Sequence, residues 1–191
     1  MKPILVTPPA EPAVSLAELR AHVRVGAIIT EDDSVLQGFI SAAVAHLDGY
    51  SGILGRCLVA QEWGQGYCGW AAHLLLPFPD VSAATITYLD ADGASQTVPS
   101  AQYEIVRGHL GDHILFKSAF TWPELEADAF HPVSVQFTAG YGAAADVPWA
   151  LKVAIMQLAA HWYENREAVG DARPMPMAFE ALMRPYRMAM S

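Results

Sequence analysis

Apolar residues recur with a helical period near both ends of this chain, and as short alternating or continuous runs in its middle. The longest helical pattern runs from Asp146 to Gly170, DVPWALKVAIMQLAAHWYENREAVG. Leu151, Ile155, Leu158 and Trp162 form one apolar stripe, and Val153, Met156, Ala160 and Tyr163 form a second, displaced around the axis. Lys152, Gln157, His161 and Asn165 leave a narrow polar seam, so the helix is expected to be buried on most of its circumference. Asp146 is the expected N-cap, Pro148 suits the first turn, and Gly170 suits the C′ position, with Pro174 and Pro176 preventing continuation. These signals predict about 23 helical residues, or about 35 Å. One stripe suits the chain's own core. The second needs another cover, either the β region or another subunit.

Two helices are predicted before the β region. Ser15 and Glu18 form a capping box opening SLAELRAHVRV. Asp32 and Asp33 start DSVLQGFISAAVAHLDGY, whose Val35, Leu36, Phe39, Ile40, Ala43, Val44, Leu47 and Tyr50 keep helical spacing, and Gly52 and Gly55 end it. From Leu58 to Gly140 the runs CLVAQEW, HLLLPF, ATITYLD, QTVP, YEIV, HILFK and VSVQFTAG read as short strands. Ala91 to Gly93 reads as a hairpin turn, and Ser118 to Pro132 as an exposed loop. Strands in sequence with no helices between them favour an antiparallel sheet or sandwich. A last helix, AFEALMRPYRMAM, follows a stiff RPMPM linker.

The expected fold class is therefore α+β: a helical body with an inserted antiparallel β-sheet or sandwich. Residues 1–14 form an extended arm, 15–56 the N-terminal helices, 57–142 the β insertion, 146–170 the long helix, and 171–191 the linker and C-terminal helix with its tail.

Composition narrows the function more than it identifies it. Hydrophobic residues make up 53% and charged residues 16%, a sparse charge supply that suits a surface partly covered by partners. The net charge of -9 argues against tight, sequence-independent DNA binding, which needs many basic contacts to phosphate, yet suits a wall past which DNA slides. Cys57 and Cys68 form no CxxC pair and read as reduced thiols, and no run spans a membrane or marks a signal peptide.

Candidate chemistry is thin. GYGAAA at Gly140 to Ala145 matches a dinucleotide fingerprint, but the helix starts later and Asp146 places a negative charge where a pyrophosphate needs bare amides. His109, Asp112 and His113 flank a glycine turn without an evident further ligand. His161 and Glu164 lie one turn apart, but no other helix repeats the pair, as a di-metal bundle would need. No GxSxG elbow or P-loop is present, and no cofactor is expected. Trp149, Trp162 and Tyr163 read as core or as interface anchors.

SLAELRAHVRV with EDDSVLQGFISAAVAHLDGYSG, then LVAQEW, then LLLPFPDVSAATITYLDADGA and VSVQFTAGYG, then VPWALKVAIMQLAAHWYENREAV and the closing FEALMRPYR, together resemble the phage head–tail connector (adaptor) proteins of long-tailed phages, prophages and gene transfer agents. The resemblance runs from about Ser15 to Arg187, and departs from the family in the Pro-rich arm and the Met-rich tail. It implies a non-enzymatic structural protein made in the bacterial cytoplasm and placed at the virion neck. Its partners would be copies of itself in a ring, commonly twelve-fold, together with the portal above and head-closure or tail proteins below. DNA would pass through without specific binding. It also implies portal contacts from the C-terminal helix and tail, with Phe179, Leu182, Met183, Arg184, Tyr186 and Arg187 as candidates. Trp149, Val153, Met156, Trp162 and Tyr163 become candidates for packing within and between subunits. The alternative is a head-closure or tail-completion protein. A small metal- or nucleotide-dependent enzyme is the remote alternative.

Overall fold

The computed structural model describes residues 2–26, 28–108, 110–165 and 177–188. It is a mixed α+β structure whose strands are all paired antiparallel. The chain divides into two compact units: residues 1–10, 60–141 and 189–191 in one, and residues 11–59 and 142–188 in the other.

The second unit is helical. Its first helix, α1 (Leu16–Val23), begins as its residues dictate: the Ser15 hydroxyl accepts from the Glu18 amide, and the Glu18 carboxylate accepts from the Ser15 amide at 2.7 Å. The box satisfies amides that helix geometry would leave without partners. Helix α2 (Asp33–Leu47) buries Leu36, Ile40, Ala43 and Leu47, one face at helical spacing. It stops three residues before the expected Tyr50, which lies beyond the end and is 47% exposed. The stop comes at Gly49 (φ 73°), before Gly52 and Gly55 are reached.

Helix α3 (Trp149–Glu164) packs against α1, α2 and α4 (Met177–Met183). Its start differs from expectation. Asp146 ends a short 3-10 turn, and its carboxylate accepts from the Ala143 amide at 2.9 Å instead of capping α3. The cap position falls to Pro148, whose carbonyl accepts from the amides of Leu151 and Lys152. At the other end the helix closes at Glu164, where the Asn165 amide donates to the His161 carbonyl. The expected continuation to Gly170, and the linker with Pro174 and Pro176, lie outside the described residues.

The first unit contains every strand among the described residues. A five-stranded sheet has the order β1 (Ile4–Thr7), β2 (Gln61–Tyr67), β8 (Val133–Ala139), β4 (Val81–Leu89) and β5 (Ser95–Thr97). A three-stranded sheet has the order β3 (His73–Leu75), β7 (His113–Phe116) and β6 (Tyr103–Val106). Strand β8 shows why the sheet forms. Val133, Val135, Phe137 and Ala139 are buried while Ser134 and Gln136 are exposed, the two-residue alternation of a strand with one dry face. Phe78 joins this core, with its ring 4.9 Å from Trp63 and 6.2 Å from Phe137.

Several strands shift from their expected positions. The run from Cys57 becomes a strand only at Gln61, and HLLLPF contributes only its first three residues. Residues 4–7, read from the sequence as part of an extended arm, form the edge strand β1, with Leu5 opposite Trp63. The β4–β5 hairpin turns as expected. Gly93 (φ 76°) donates to the Asp90 carbonyl, and the Asp90 carboxylate accepts from the Asp92 and Ala94 amides. The loop after Lys117 is largely exposed, yet Phe120 is buried in an aromatic cluster with Trp70, Phe116 and Trp122.

Candidate assembly surfaces

Helix α3 does not present two equally open stripes. Leu151, Ile155 and Leu158 of the first are fully buried, as is nearly all of Met156 of the second. What stays open is a third line, with Trp149 at its start, Val153, Gln157 and Ala160 half-buried along it, and Glu164 exposed at its end. These positions follow one another by three or four residues, so they share a face. Among the subunit-packing candidates, Trp149 is thus the most open at 63%. Val153, Trp162 and Tyr163 are half-buried, and Met156 belongs to the core of its own unit.

One member of the polar seam of α3, Lys152, has turned inward. Lys152 is 7% exposed, and its Nζ lies 3.1 Å from the Glu18 carboxylate and 5.6 Å from the Trp149 ring centre. The stem of the lysine lies along apolar surface while its head reaches a carboxylate, which is how a buried ammonium is tolerated. Burial pushes the Glu18 carboxyl up, but hydrogen bonds from Ser15 and the Lys152 ammonium outweigh it and hold the group below its ordinary value. Near the other end of α3, the Tyr163 hydroxyl donates to Asp32 at 2.6 Å and ties the helix to the start of α2. Of the three aromatics read as core or interface anchors, Tyr163 therefore has a partner inside its own unit.

The C-terminal candidates separate by burial. Phe179 and Met183 are 3% and 6% exposed, so in the free chain they anchor α4 rather than face outwards. Leu182 and Tyr186 are half-buried, and Arg184 and Arg187 are exposed. A groove of about 550 Å³ runs beside them, lined by His46, Ile53, Leu54, Phe179, Arg184 and Arg187 among others. The Met188 amide donates to the Leu54 carbonyl at 3.0 Å, so the chain is still tied down at that point.

The motifs that suggested chemistry are occupied by structural roles. In the GYG turn, the Ala143 amide donates to Asp146 and the Ala144 amide to Glu11, both at 2.9 Å. Carboxylates thus hold the amides that a pyrophosphate would need. Gly142 (φ 124°) is required there, since a Cβ would lie 2.6 Å from the Asp146 carboxylate. Asp112 is 1% exposed and accepts from the Val81 amide at 2.9 Å and the Gly108 amide at 3.4 Å. The His113 ring packs edge-on against His73 at 6.2 Å, and His109 lies outside the described residues. No group of three potential metal ligands occurs among the described residues. At His161 the Asn165 side-chain amide donates to the backbone carbonyl at 2.8 Å. Cys57 is buried and Cys68 exposed, and neither is in a disulfide. No described helix is long and apolar enough to cross a membrane.

Sequence reasoning missed the exposed apolar residues outside the helices. Ile4, Leu5 and Val6 on β1 are 58%, 43% and 51% exposed, and Ile28 in the α1–α2 loop is 95% exposed. The signal at β1 was an Ile-Leu-Val run between Pro3 and Pro8, hidden by the prolines that made the segment look like a featureless arm.

No protein-family model and no curated protein matches the chain. Solved structures do. A chain from the neck of an empty gene transfer agent particle, computed with C6 symmetry, superimposes with a TM-score of 0.81 at 27% identity, covering 100% of this chain and 97% of that one. A chain from the virion of a native gene transfer agent particle gives 0.80 at 26%, with the same coverage. A third, from the neck of a native particle computed with C12 symmetry, gives 0.77 at 24% and is a likeness of fold alone. Over its whole length, this chain shares the fold of gene transfer agent neck proteins, consistent with the phage head–tail connector (adaptor) family that its sequence resembles.

Proposed function

We propose that this chain is a structural, non-enzymatic component of the virion neck, a connector that assembles as a ring beneath the portal. The ring extends the DNA channel and offers a surface to head-closure or tail proteins. The observation that carries this reading is the end-to-end likeness to a neck chain at 27% identity. A local match would leave room for a borrowed module, whereas this one includes the helical unit, the β unit and nearly all of the other chain.

The physical features agree with that role. The symmetries of the neighbouring particles, C6 and C12, support cyclic assembly. In a ring of more than two copies each interface joins two different patches, so one subunit needs two adhesive surfaces. The open line on α3 headed by Trp149 is one candidate surface. The net charge of -9 suits a channel that lets DNA pass without holding it. Portal contact is assigned to the exposed Arg184 and Arg187 with the half-buried Leu182 and Tyr186. Phe179 and Met183 support them from within.

The test is binding and size. The purified chain, mixed with its cognate portal, is expected to form a complex of defined stoichiometry by light scattering, and truncation before Arg184 is expected to weaken it. A chain that ignores the portal but caps an assembled connector ring would be a head-closure protein instead. Binding to neither would overturn the reading.

A further inference from the structure

The five-stranded sheet is open at both ends. At one end all four residues of β1 are exposed, and at the other all three residues of β5. Among the described residues no strand lies beyond either. Open edges are usually blunted by Lys, Pro or an inward charge within the strand. Neither ILVT nor SQT contains one; both strands are short, and β1 carries a register shift between Leu5 and Thr7, so the edges are limited in length but not blocked by charge or proline.

The geometry of the β5 edge is explicit. The Val98 amide donates to Ile86, and the Asp90 amide donates to the Ala94 carbonyl. In an antiparallel ladder alternate residues bond to the same partner strand, so 94, 96 and 98 turn towards β4. The amides and carbonyls of Ser95 and Thr97 therefore point away from the sheet. The β1 edge adds apolar area: Ile4, Leu5 and Val6 are each more than two-fifths exposed.

We infer that β1 of one copy pairs with β5 of the next, so that the sheets of neighbouring subunits join edge to edge around the ring. The inference rests on the ring reading above and supplies its missing contact. A cyclic assembly needs two unlike patches on one subunit that fit each other. The two ends of one open sheet meet that need, with the same backbone chemistry and different side chains. Pairing β1 with β1 would be two-fold and would stop at a dimer. With only three or four residues on each side, the paired edges fix orientation and register, while the helical surfaces supply further area.

Cysteine cross-linking tests this directly. In a Cys68→Ser background, Leu5→Cys is combined in turn with Ser95→Cys, Gln96→Cys and Thr97→Cys, all at exposed positions. Each variant is checked for wild-type melting, assembled with the portal and oxidised. At least one pair is expected to give a ladder of covalent multimers above the dimer on a non-reducing gel, with Leu5→Cys alone giving none. Rings that form without any ladder would overturn edge pairing and leave the connector reading intact. Covalent dimers from Leu5→Cys alone would overturn it in favour of two-fold pairing. Failure to form rings, with no ladder, would overturn both.

Discussion

Replacing Glu18 by alanine removes one acceptor from two networks at once. The carboxylate receives the Ser15 amide and hydroxyl at 2.7 and 2.8 Å, and it faces the Lys152 ammonium at 3.1 Å. Losing the capping contact costs about 1 kcal/mol. Lys152 would be left as a nearly buried ammonium without its carboxylate. Breaking a fully buried pair costs about 3–5 kcal/mol, but the Glu18 side chain is 30% exposed, so about 1–2 kcal/mol is the better figure here. The expected total is about 2–3 kcal/mol, read from the shift in the urea midpoint of helical circular dichroism at unchanged slope. Lys152→Met removes the charge while keeping the stem, and is expected to cost less than about 1 kcal/mol. In that background Glu18→Ala should cost only the cap, so the double-mutant cycle should show at least about 1 kcal/mol of coupling. Acid should erase the pair's share. The folded carboxyl titrates below its ordinary value of 4.5, so its contribution is fully present above that pH and is lost as pH falls through the lower folded value. The gap between wild type and Glu18→Ala therefore narrows on acidification below 4.5. A cycle additive to within about 0.3 kcal/mol, or a pH-independent gap, would refute the account.

Four further substitutions have expected outcomes. Asp112→Ala leaves the Val81 and Gly108 amides without their acceptor and should cost about 2–3 kcal/mol in thermal melts, and Gly111→Ala should cost at least as much, because its φ is 124° and a Cβ would sit 2.2 Å from the Leu76 carbonyl oxygen. Burial pushes the Tyr67 hydroxyl, which donates to the Leu75 carbonyl, well above its ordinary value of 10.0. Its stabilising share is therefore present below pH 10.0 and fades at higher pH, and Tyr67→Phe should remove a late component of an alkaline absorbance titration. Trp149→Ala should change stability by no more than about 1 kcal/mol, since the side chain is 63% exposed and its ring meets Lys152 only at 5.6 Å, but it should impair ring assembly measured by light scattering.

The capping box at Ser15 and Glu18 and the alternation along β8 were legible in the sequence because both depend on neighbours within a few residues. The true start of α3 was not. Asp146 has the chemistry of a cap, but a 3-10 turn draws its carboxylate to Ala143, and Pro148 takes the flanking position. Strand β1 was missed because its partner, β2, lies more than fifty residues away, and no local pattern announces a long-range pairing. At the assembly surfaces residue types were legible but burial was not. Phe179 and Arg184 look equally available on paper, and only packing shows that one is buried and the other exposed.

The order in which the units are strung along the chain has a consequence for biosynthesis. Helices α1 and α2 are made soon after β1, yet α3 and α4, which complete their core, follow all the remaining strands of the β unit. As the chain leaves the ribosome, α1 and α2 must wait with Leu36, Ile40 and Leu47 uncovered until α3 emerges. The β unit faces no such delay beyond its last strand, since β1 lies at the start of the chain and β8 ends before Gly142. Folding should therefore begin in the middle of the chain and finish at its ends. The helical surfaces assigned to assembly would be the last to take shape, after the sheet edges at β1 and β5.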